Sequence, residues 1–392
     1  MKLTLPEPTA DEQAHSAALV EIILDEIKTH GQISFRRYME MCLYQPSLGY
    51  YVAGAKKFGT GGDFTTAPEI SPLFGYCLAN QAADVLRELT DDGTVLEIGA
   101  GTGALAASML QRFQDIECLP KHYFILELGT ELQQRQRETI EREVPELLDR
   151  VVWLDSLDDF SMSGVIVANE LLDAMPVRCF TLEAGQIHER VVKAAAEDSN
   201  ESFIWGSEPA DQHLMAVVNE LPLGEIVEPY RSEINPQLKP WFASISRILN
   251  KGVALLIDYG YERADYYHPQ RNDGTLICHY RQRVVNEPFY LPGLMDITAN
   301  VDFTAVVESG TEAGLDFSGY TNQASFLFGA GLDHIFASVA GEDEQQRLEL
   351  SAQIKMLTLP GEMGDRFKVI GFSRNFDHDL GGFGFNDLSY RL

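Results

Sequence analysis

The 392-residue chain is predicted to be an α/β protein built on a doubly wound, mostly parallel sheet, and three features of the sequence predict it. From residue 94 onward, apolar runs of strand length alternate with helical stretches, the rhythm that packs helices on both faces of parallel strands. One run, Val95-Leu96-Glu97-Ile98, passes into Gly99-Ala100-Gly101-Thr102-Gly103 and then into Ala104-Leu105-Ala106-Ala107-Ser108-Met109-Leu110, so strand, glycine turn and helix follow one another directly. Between 177 and 231 the rhythm breaks into Arg178-Cys179-Phe180-Thr181-Leu182 and Ile187-His188-Glu189-Arg190-Val191-Val192, separated by Ala184-Gly185; this hairpin signal predicts an inserted antiparallel subdomain.

The elements follow in order. Thr9-Ala10-Asp11-Glu12 is a capping box, Leu19, Ile22, Ile23 and Ile27 form the apolar stripe of the helix it opens, and Gly31 closes it. A second helix starts after Ser34. Tyr44 to Tyr51 and then Lys57 to Glu69 are too rich in turn residues for regular structure, and the latter, with Asp63, Thr66 and Glu69, is expected to act as a lid or substrate platform. A helix over 75–89 leads into strands at 94–99, 122–127, 151–155, 164–169 and 252–258. Asn235 with Pro236 opens a helix over 236–250, further helices lie between 321 and 358, and a last strand runs near 366–372. The expected division is an N-terminal extension (1–75), a cofactor half (76–176), the insert (177–231) and the remainder (232–392).

Composition excludes several classes. At 45% hydrophobic residues there is ample material for a core, while 59 acidic against 30 basic residues, a net charge of −29, oppose binding to nucleic acid or to an anionic membrane. The five cysteines, 42, 77, 118, 179 and 278, have neither Cys-x-x-Cys spacing nor a histidine cluster beside them, so no disulfide framework and no metal site are expected. The first residues lack a basic region followed by an apolar block, and no apolar run reaches the roughly 18–20 residues of a membrane span. A cytoplasmic, reducing compartment is the expectation.

The chemistry should sit beyond the carboxyl ends of the strands, where doubly wound sheets bind ligands. Two cofactors compete for the glycine turn, because Gly99-x-Gly101-x-x-Ala104 also satisfies the dinucleotide fingerprint. Glu97 argues against a pyrophosphate, which a carboxylate would repel, and favours S-adenosylmethionine over a dinucleotide, since its sulfonium and amino groups are cationic. The ends of the first five strands of the sheet carry acids: Glu97, Glu127, Asp155, Glu170 and Asp258. Glu127, with Leu128 beside it, is placed to accept the ribose hydroxyls. Asp155 with Ser156 would meet the adenine amino group, and Glu97 with Gly99, Gly101 and Gly103 would face the methionine part. Asn169-Glu170-Leu171-Leu172-Asp173 would stand beside the departing methyl, with Glu170 and Asp173 able to orient an acceptor and handle its proton.

Long blocks give a sharper resemblance. Gly62-Asp63-Phe64-Thr65-Thr66-Ala67-Pro68-Glu69, the glycine turn, Asn169-Glu170-Leu171-Leu172-Asp173-Ala174-Met175-Pro176, Leu256-Ile257-Asp258-Tyr259-Gly260, Gly293-Leu294-Met295-Asp296-Ile297-Thr298-Ala299-Asn300 and Met363-Gly364-Asp365-Arg366-Phe367 together resemble the MidA-like class I methyltransferases over most of the chain. The resemblance implies a Rossmann-like class I methyltransferase fold with a seven-stranded sheet, S-adenosylmethionine as cofactor and arginine of a protein as acceptor. It also implies a bacterial member, since the mitochondrial ones carry import signals. The chain departs from the family at Asn300, where a histidine is usual, and over Cys278 to Phe289, where Glu287 stands for an aspartate; His279 is the remaining candidate for proton transfer. Methylation of a small molecule, and a non-catalytic assembly factor that keeps the fold, are the competing readings.

Overall fold

In the computed structural model, which describes residues 5–53, 65–89, 92–341 and 343–392, the apolar runs after residue 94 become strands of one sheet. They are β1 (Thr94–Ile98), β2 (Tyr123–Leu126), β3 (Val151–Leu154), β4 (Met162–Asn169), β5 (Leu249–Tyr261), β6 (Asp316–Asn322) and β7 (Phe367–Arg374), in the order β6-β7-β5-β4-β1-β2-β3. From β5 through β3 the neighbours are parallel, whereas β7 runs against both β5 and β6. All five residues of β1 are buried, as continuous apolar runs in parallel sheets must be when helices cover both faces. These strands belong to a unit made of Thr65–Leu171, Lys239–Gly260 and Thr304–Leu392. Its core joins Leu78 and Leu105 from helices Pro72–Glu88 and Ala104–Asp115 to Val165, Leu255 and Val369 from the sheet. The helix expected over 236–250 spans Leu238–Ile248: the Asn235 side chain accepts from the Gln237 amide at 2.9 Å, and the helix begins two residues later than expected.

The second unit comprises Met1–Phe64, Leu172–Leu238 and Tyr261–Phe303. Its first helix, Ala10–His30, has both bonds of the predicted capping box: the Glu12 amide donates to Thr9 Oγ1 at 3.3 Å and the Thr9 amide to Glu12 Oε2 at 2.7 Å. Leu19, Ile23 and Ile27 are buried, whereas Ile22 lies at the edge of the stripe and is 39% exposed. The predicted hairpin is present, with Arg178–Glu183 antiparallel to Gln186–Ala194. To it are added Tyr230–Ile234 beside the first strand, Phe203–Pro209 beside the second, and Ile33–Ser34 from the N-terminal segment, pairing Ile33 with Val192. A separate three-stranded sheet joins Arg283–Val285, Ile277–Tyr280 and Asp296–Thr298. Aromatic rings fill the space between these elements: Phe35 stacks on Trp205 at 4.9 Å, and Tyr38 meets Phe203 edge-on at 5.5 Å. The five cysteines are all unpaired thiols. Among the described residues, no helix is long and apolar enough to cross a membrane and no group of His, Cys, Asp and Glu is arranged to hold a metal.

Candidate active site

Strands β1 and β4 are neighbours, but the chain leaves them in opposite directions across the sheet, toward β2 and toward β5. Such a switch point opens a crevice at the carboxyl ends of the strands. The glycine turn fills that position. Gly99, Gly101 and Gly103 have φ of 75°, 52° and 86°, all in the left-handed region. At Gly101 a Cβ would meet nothing within 4 Å, so the space beside the loop is open; at Gly103 it would lie 2.9 Å from the Gln136 Cα, so helix Thr130–Glu143 packs directly on the loop. Gly103 caps Ala104–Asp115 without a side-chain bond, which leaves first-turn amides available at the turn. Thr102, within the turn, donates its hydroxyl to the Glu69 carboxylate, fastening the short helix Ala67–Ile70 to it. Thr66 is the half-buried N-cap of that helix, and Asp63 lies outside the described residues.

The parallel register sets the acids level. Ile98 lies beside Leu126 and Leu126 beside Leu154, so Glu127 and Asp155 leave the sheet at the same edge as the glycine turn. Their surroundings differ. Glu97 is 2% exposed and accepts from the Tyr123 hydroxyl at 2.6 Å; burial pushes its carboxyl up to about 7, against the pull of that bond, and the nearby Glu127 adds to the rise. Glu127 is also buried, which raises its pKa, while bonds from the Gly129 amide at 3.0 Å and from Gln136 Nε2 at 3.0 Å work the other way. Leu128, next in the chain, is 66% exposed. Asp155 and Ser156 are exposed, and Ser156 Oγ accepts from the Asp158 amide at 3.1 Å.

At the end of β4, Asn169 Nδ2 donates to Glu170 Oε1 at 3.1 Å, and Asn169 Oδ1 is buried with no hydrogen-bond partner among the described residues. Glu170 adopts φ of 52°, a left-handed conformation uncommon for a residue with a side chain, and its amide is tied to the Ile257 carbonyl at 2.9 Å. That bond to β5 holds the residue in this conformation at the switch point. Asp258 is fully buried within β5, opposite Lys368 in the register, and accepts from the Tyr259 amide at 2.9 Å.

Two predicted residues belong to the smaller unit. Asp173 is 5% exposed, and its carbonyl accepts from the Ala299 amide at 3.0 Å. His279 stands directly across from Asp296 in the antiparallel register, and burial lowers its pKa. Asp296 in turn accepts from the Tyr51 hydroxyl at 2.8 Å, and burial together with the charges of Asp296 and Asp173 raises the pKa of Tyr51 far beyond its ordinary value. Asn300, where the family has histidine, is bound to Thr275 through both its amide N–H, at 3.0 Å, and its side chain, at 3.4 Å.

Sequence reasoning missed Tyr123, Trp153, Thr102 and above all Gln136. A signal for Gln136 existed: it falls between Leu132 and Ile140 at helical spacing, a polar residue on the buried face of its helix.

A glycine turn at a switch point, with buried carboxylates closing the adjacent strands, defines a Rossmann-like enzyme that binds a nucleoside cofactor. The chain belongs to the S-adenosyl-L-methionine-dependent methyltransferase family, whose model matches residues 77–321, and its cofactor is S-adenosyl-L-methionine. A Burkholderia thailandensis protein crystallised with S-adenosyl-homocysteine is 41% identical and superposes with a TM-score of 0.94 over 99% of this chain and 100% of that one. A native structure from the same organism is 40% identical, with a TM-score of 0.91 over 99% and 100%. More distant relatives carry the name protein arginine methyltransferase NDUFAF7: the mouse protein is 27% identical over 92% of this chain and 85% of its own length, and the Drosophila melanogaster homolog 24% over 93% and 87%.

Proposed function

We propose that this methyltransferase acts on arginine side chains of a protein. The observation that carries the reading is the carboxylate Glu170, held in a left-handed conformation at the switch point beside the glycine turn, in a chain that aligns over nine-tenths of its length with relatives named for arginine methylation. A guanidinium is protonated at all ordinary pH and presents a fork of N–H donors. A carboxylate pairs with that fork, turns one nitrogen toward the donor and takes up the charge as the nitrogen loses its proton. Glu170 has this role, with Asn169 orienting it.

The chain's residues fit the donor. Open space at Gly101 admits a ligand close to the backbone, and Glu127 has room for hydroxyl donors, since a carboxylate offers about four acceptor sites. In this reading Glu127 receives the two ribose hydroxyls, exposed Leu128 covers the adenine face, Asp155 and Ser156 meet the adenine amino group, and Glu97 with Gly99, Gly101 and Gly103 serves the methionine end. When bound, the donor supplies an electrophilic methyl on its sulfonium. Thr66 and Glu69 belong to the lid or substrate platform, and Asp258 to the acceptor side.

The test is incubation of the enzyme with methyl-labelled donor and a cell lysate, followed by acid hydrolysis of the protein fraction. Label should emerge as methylated arginine and vanish with Gly101→Val, which puts a branched side chain into the open space and strains a left-handed backbone, weakening donor binding at least ~100-fold. Label confined to small molecules would overturn the protein acceptor.

A further inference from the structure

We infer that Gln136, a residue outside the strand ends and the glycine turn, is a positioning residue that sets the affinity and ribose selectivity of the cofactor site by holding three of its parts in register. The inference rests on the reading of Glu127 as the ribose acid.

Gln136 is fully buried, with no exposed surface, on helix Thr130–Glu143. Its side-chain amide makes three hydrogen bonds. Nε2 donates to the Gly101 carbonyl at 3.1 Å and to Glu127 Oε2 at 3.0 Å, and Oε1 accepts from the indole N–H of Trp153 at 3.0 Å. The chemistry of the partners sets the direction of each bond: a carbonyl and a carboxylate only accept, and an indole N–H only donates, so the amide has one orientation that satisfies all three. Those partners come from the glycine turn after β1, the acid after β2 and a strand residue two positions before Asp155 on β3. One side chain therefore ties together the segments read as serving the methionine, ribose and adenine parts of the ligand.

Packing restricts the amide further. The Gln136 backbone lies so close to Gly103 that a Cβ there would clash, so the helix is seated directly on the loop backbone and the amide reaches the Gly101 carbonyl without an intervening side chain. On the far side, the Arg137 guanidinium stands over the Trp153 ring at 4.2 Å, holding the indole that supplies the third bond. A fully buried amide costs free energy unless its groups are paired. Leucine or methionine at this position would pack between Leu132 and Ile140 without that demand, so the three bonds account for a glutamine here.

The consequence for binding is specific. The Glu127 carboxylate is fixed by Gln136 on one oxygen and by the Gly129 amide on the other. Without Gln136 that carboxylate gains rotational freedom, and its geometry toward a pair of adjacent hydroxyls is lost, while contacts elsewhere on the ligand remain. The loss falls on the part of the affinity that depends on the ribose hydroxyls.

The experiment is isothermal titration of the full chain with S-adenosylhomocysteine and with its 2′-deoxy analogue, for the wild type, Gln136→Met, Glu127→Ala and Trp153→Phe, with Tm recorded for each apo protein. Gln136→Met keeps the volume and removes the bonds; S-adenosylhomocysteine affinity should fall about 10- to 100-fold, the range for hydrogen bonds to a charged group, and the preference for the 2′-hydroxyl should shrink toward that of Glu127→Ala. Equal weakening of both ligands, or a preference unchanged from wild type, would overturn the role of Gln136. If Glu127→Ala itself retains the preference, the ribose reading of Glu127 fails instead, so the two failures are separable. Should Gln136→Met not fold, Trp153→Phe decides the matter: it keeps an aromatic ring and removes the indole donor, and it should reduce the 2′-hydroxyl preference about threefold with a modest fall in Tm from the unpaired Gln136 Oε1, whereas an intact preference would overturn the inference.

Discussion

The two units of this chain organise their sequence in opposite ways. In the larger, β1, β2 and β3 are neighbours both in sequence and in the sheet, each linked to the next through a helix, and the acids stand at or just after the carboxyl ends of the strands. In the smaller, three separated segments close on one another: Ile33 pairs with Val192, and Phe35, Phe203 and Cys278 share one core. The comparison teaches that residues positioned by local backbone rules can be read in order, whereas residues positioned by distant pairings cannot. Long closures carry an entropic cost that only collective burial of large side chains offsets.

That contrast can be broken by experiment. The largest effect is expected in the smaller unit, where Phe203 is fully buried against Tyr38 and near Phe289. Phe203→Ala should cost about 3–5 kcal/mol. Hydrogen exchange should show Ala10–His30, Phe35–Tyr44 and Gln186–Ala194 losing protection together while β1 to β4 keep theirs. Loss restricted to the neighbourhood of residue 203 would show that the three segments do not fold as one cooperative body.

Next comes the switch point of the larger unit. Glu170→Gln should lower turnover at least ~100-fold, about 2.7 kcal/mol in the barrier, with the donor dissociation constant within about twofold of wild type. Parallel loss of donor binding would assign Glu170 to the cofactor.

The smallest effect sharpens the electrostatics of β1. The carboxyl of Glu97 is pushed by burial to about 7, above its ordinary 4.5. An acid whose folded pKa is raised binds its proton more tightly in the folded state, so its stabilising contribution is complete below about pH 4.5 and is lost as pH rises through about 7. Glu97→Gln removes that dependence. The stability of the variant relative to wild type, measured without ligand, should therefore rise by about 1–3 kcal/mol between pH 5 and pH 8. A difference independent of pH would mean that Glu97 is ionised throughout. For the wild type, affinity for the cationic donor should fall as pH drops through about 7, because the proton then competes with the ligand's charge.

Several features are legible in the amino-acid sequence alone. The capping box at Thr9, the strands from 94 to 169 and the hairpin around Ala184-Gly185 depend on side chains within a few residues of one another, and all three form as the sequence predicts. The acids at the strand ends were legible for the same reason, since a parallel strand delivers its last residue to one edge of the sheet. Their states were not. Asp155 is exposed, Glu97 is buried on Tyr123, and Asp258 is sealed within β5, although each looks alike as an acid ending a strand.

The sequence by itself determined the doubly wound class, the glycine turn and the edge of the sheet at which that turn lies, because periodicity and glycine placement act over a handful of residues. Only the tertiary structure decided that the N-terminal helices join the insert's sheet through Ile33, that Glu170 takes a left-handed conformation, and that Gln136 links Gly101, Glu127 and Trp153. Each of those depends on groups far apart in the chain meeting at hydrogen-bond distance, which burial and packing impose and local propensity does not encode.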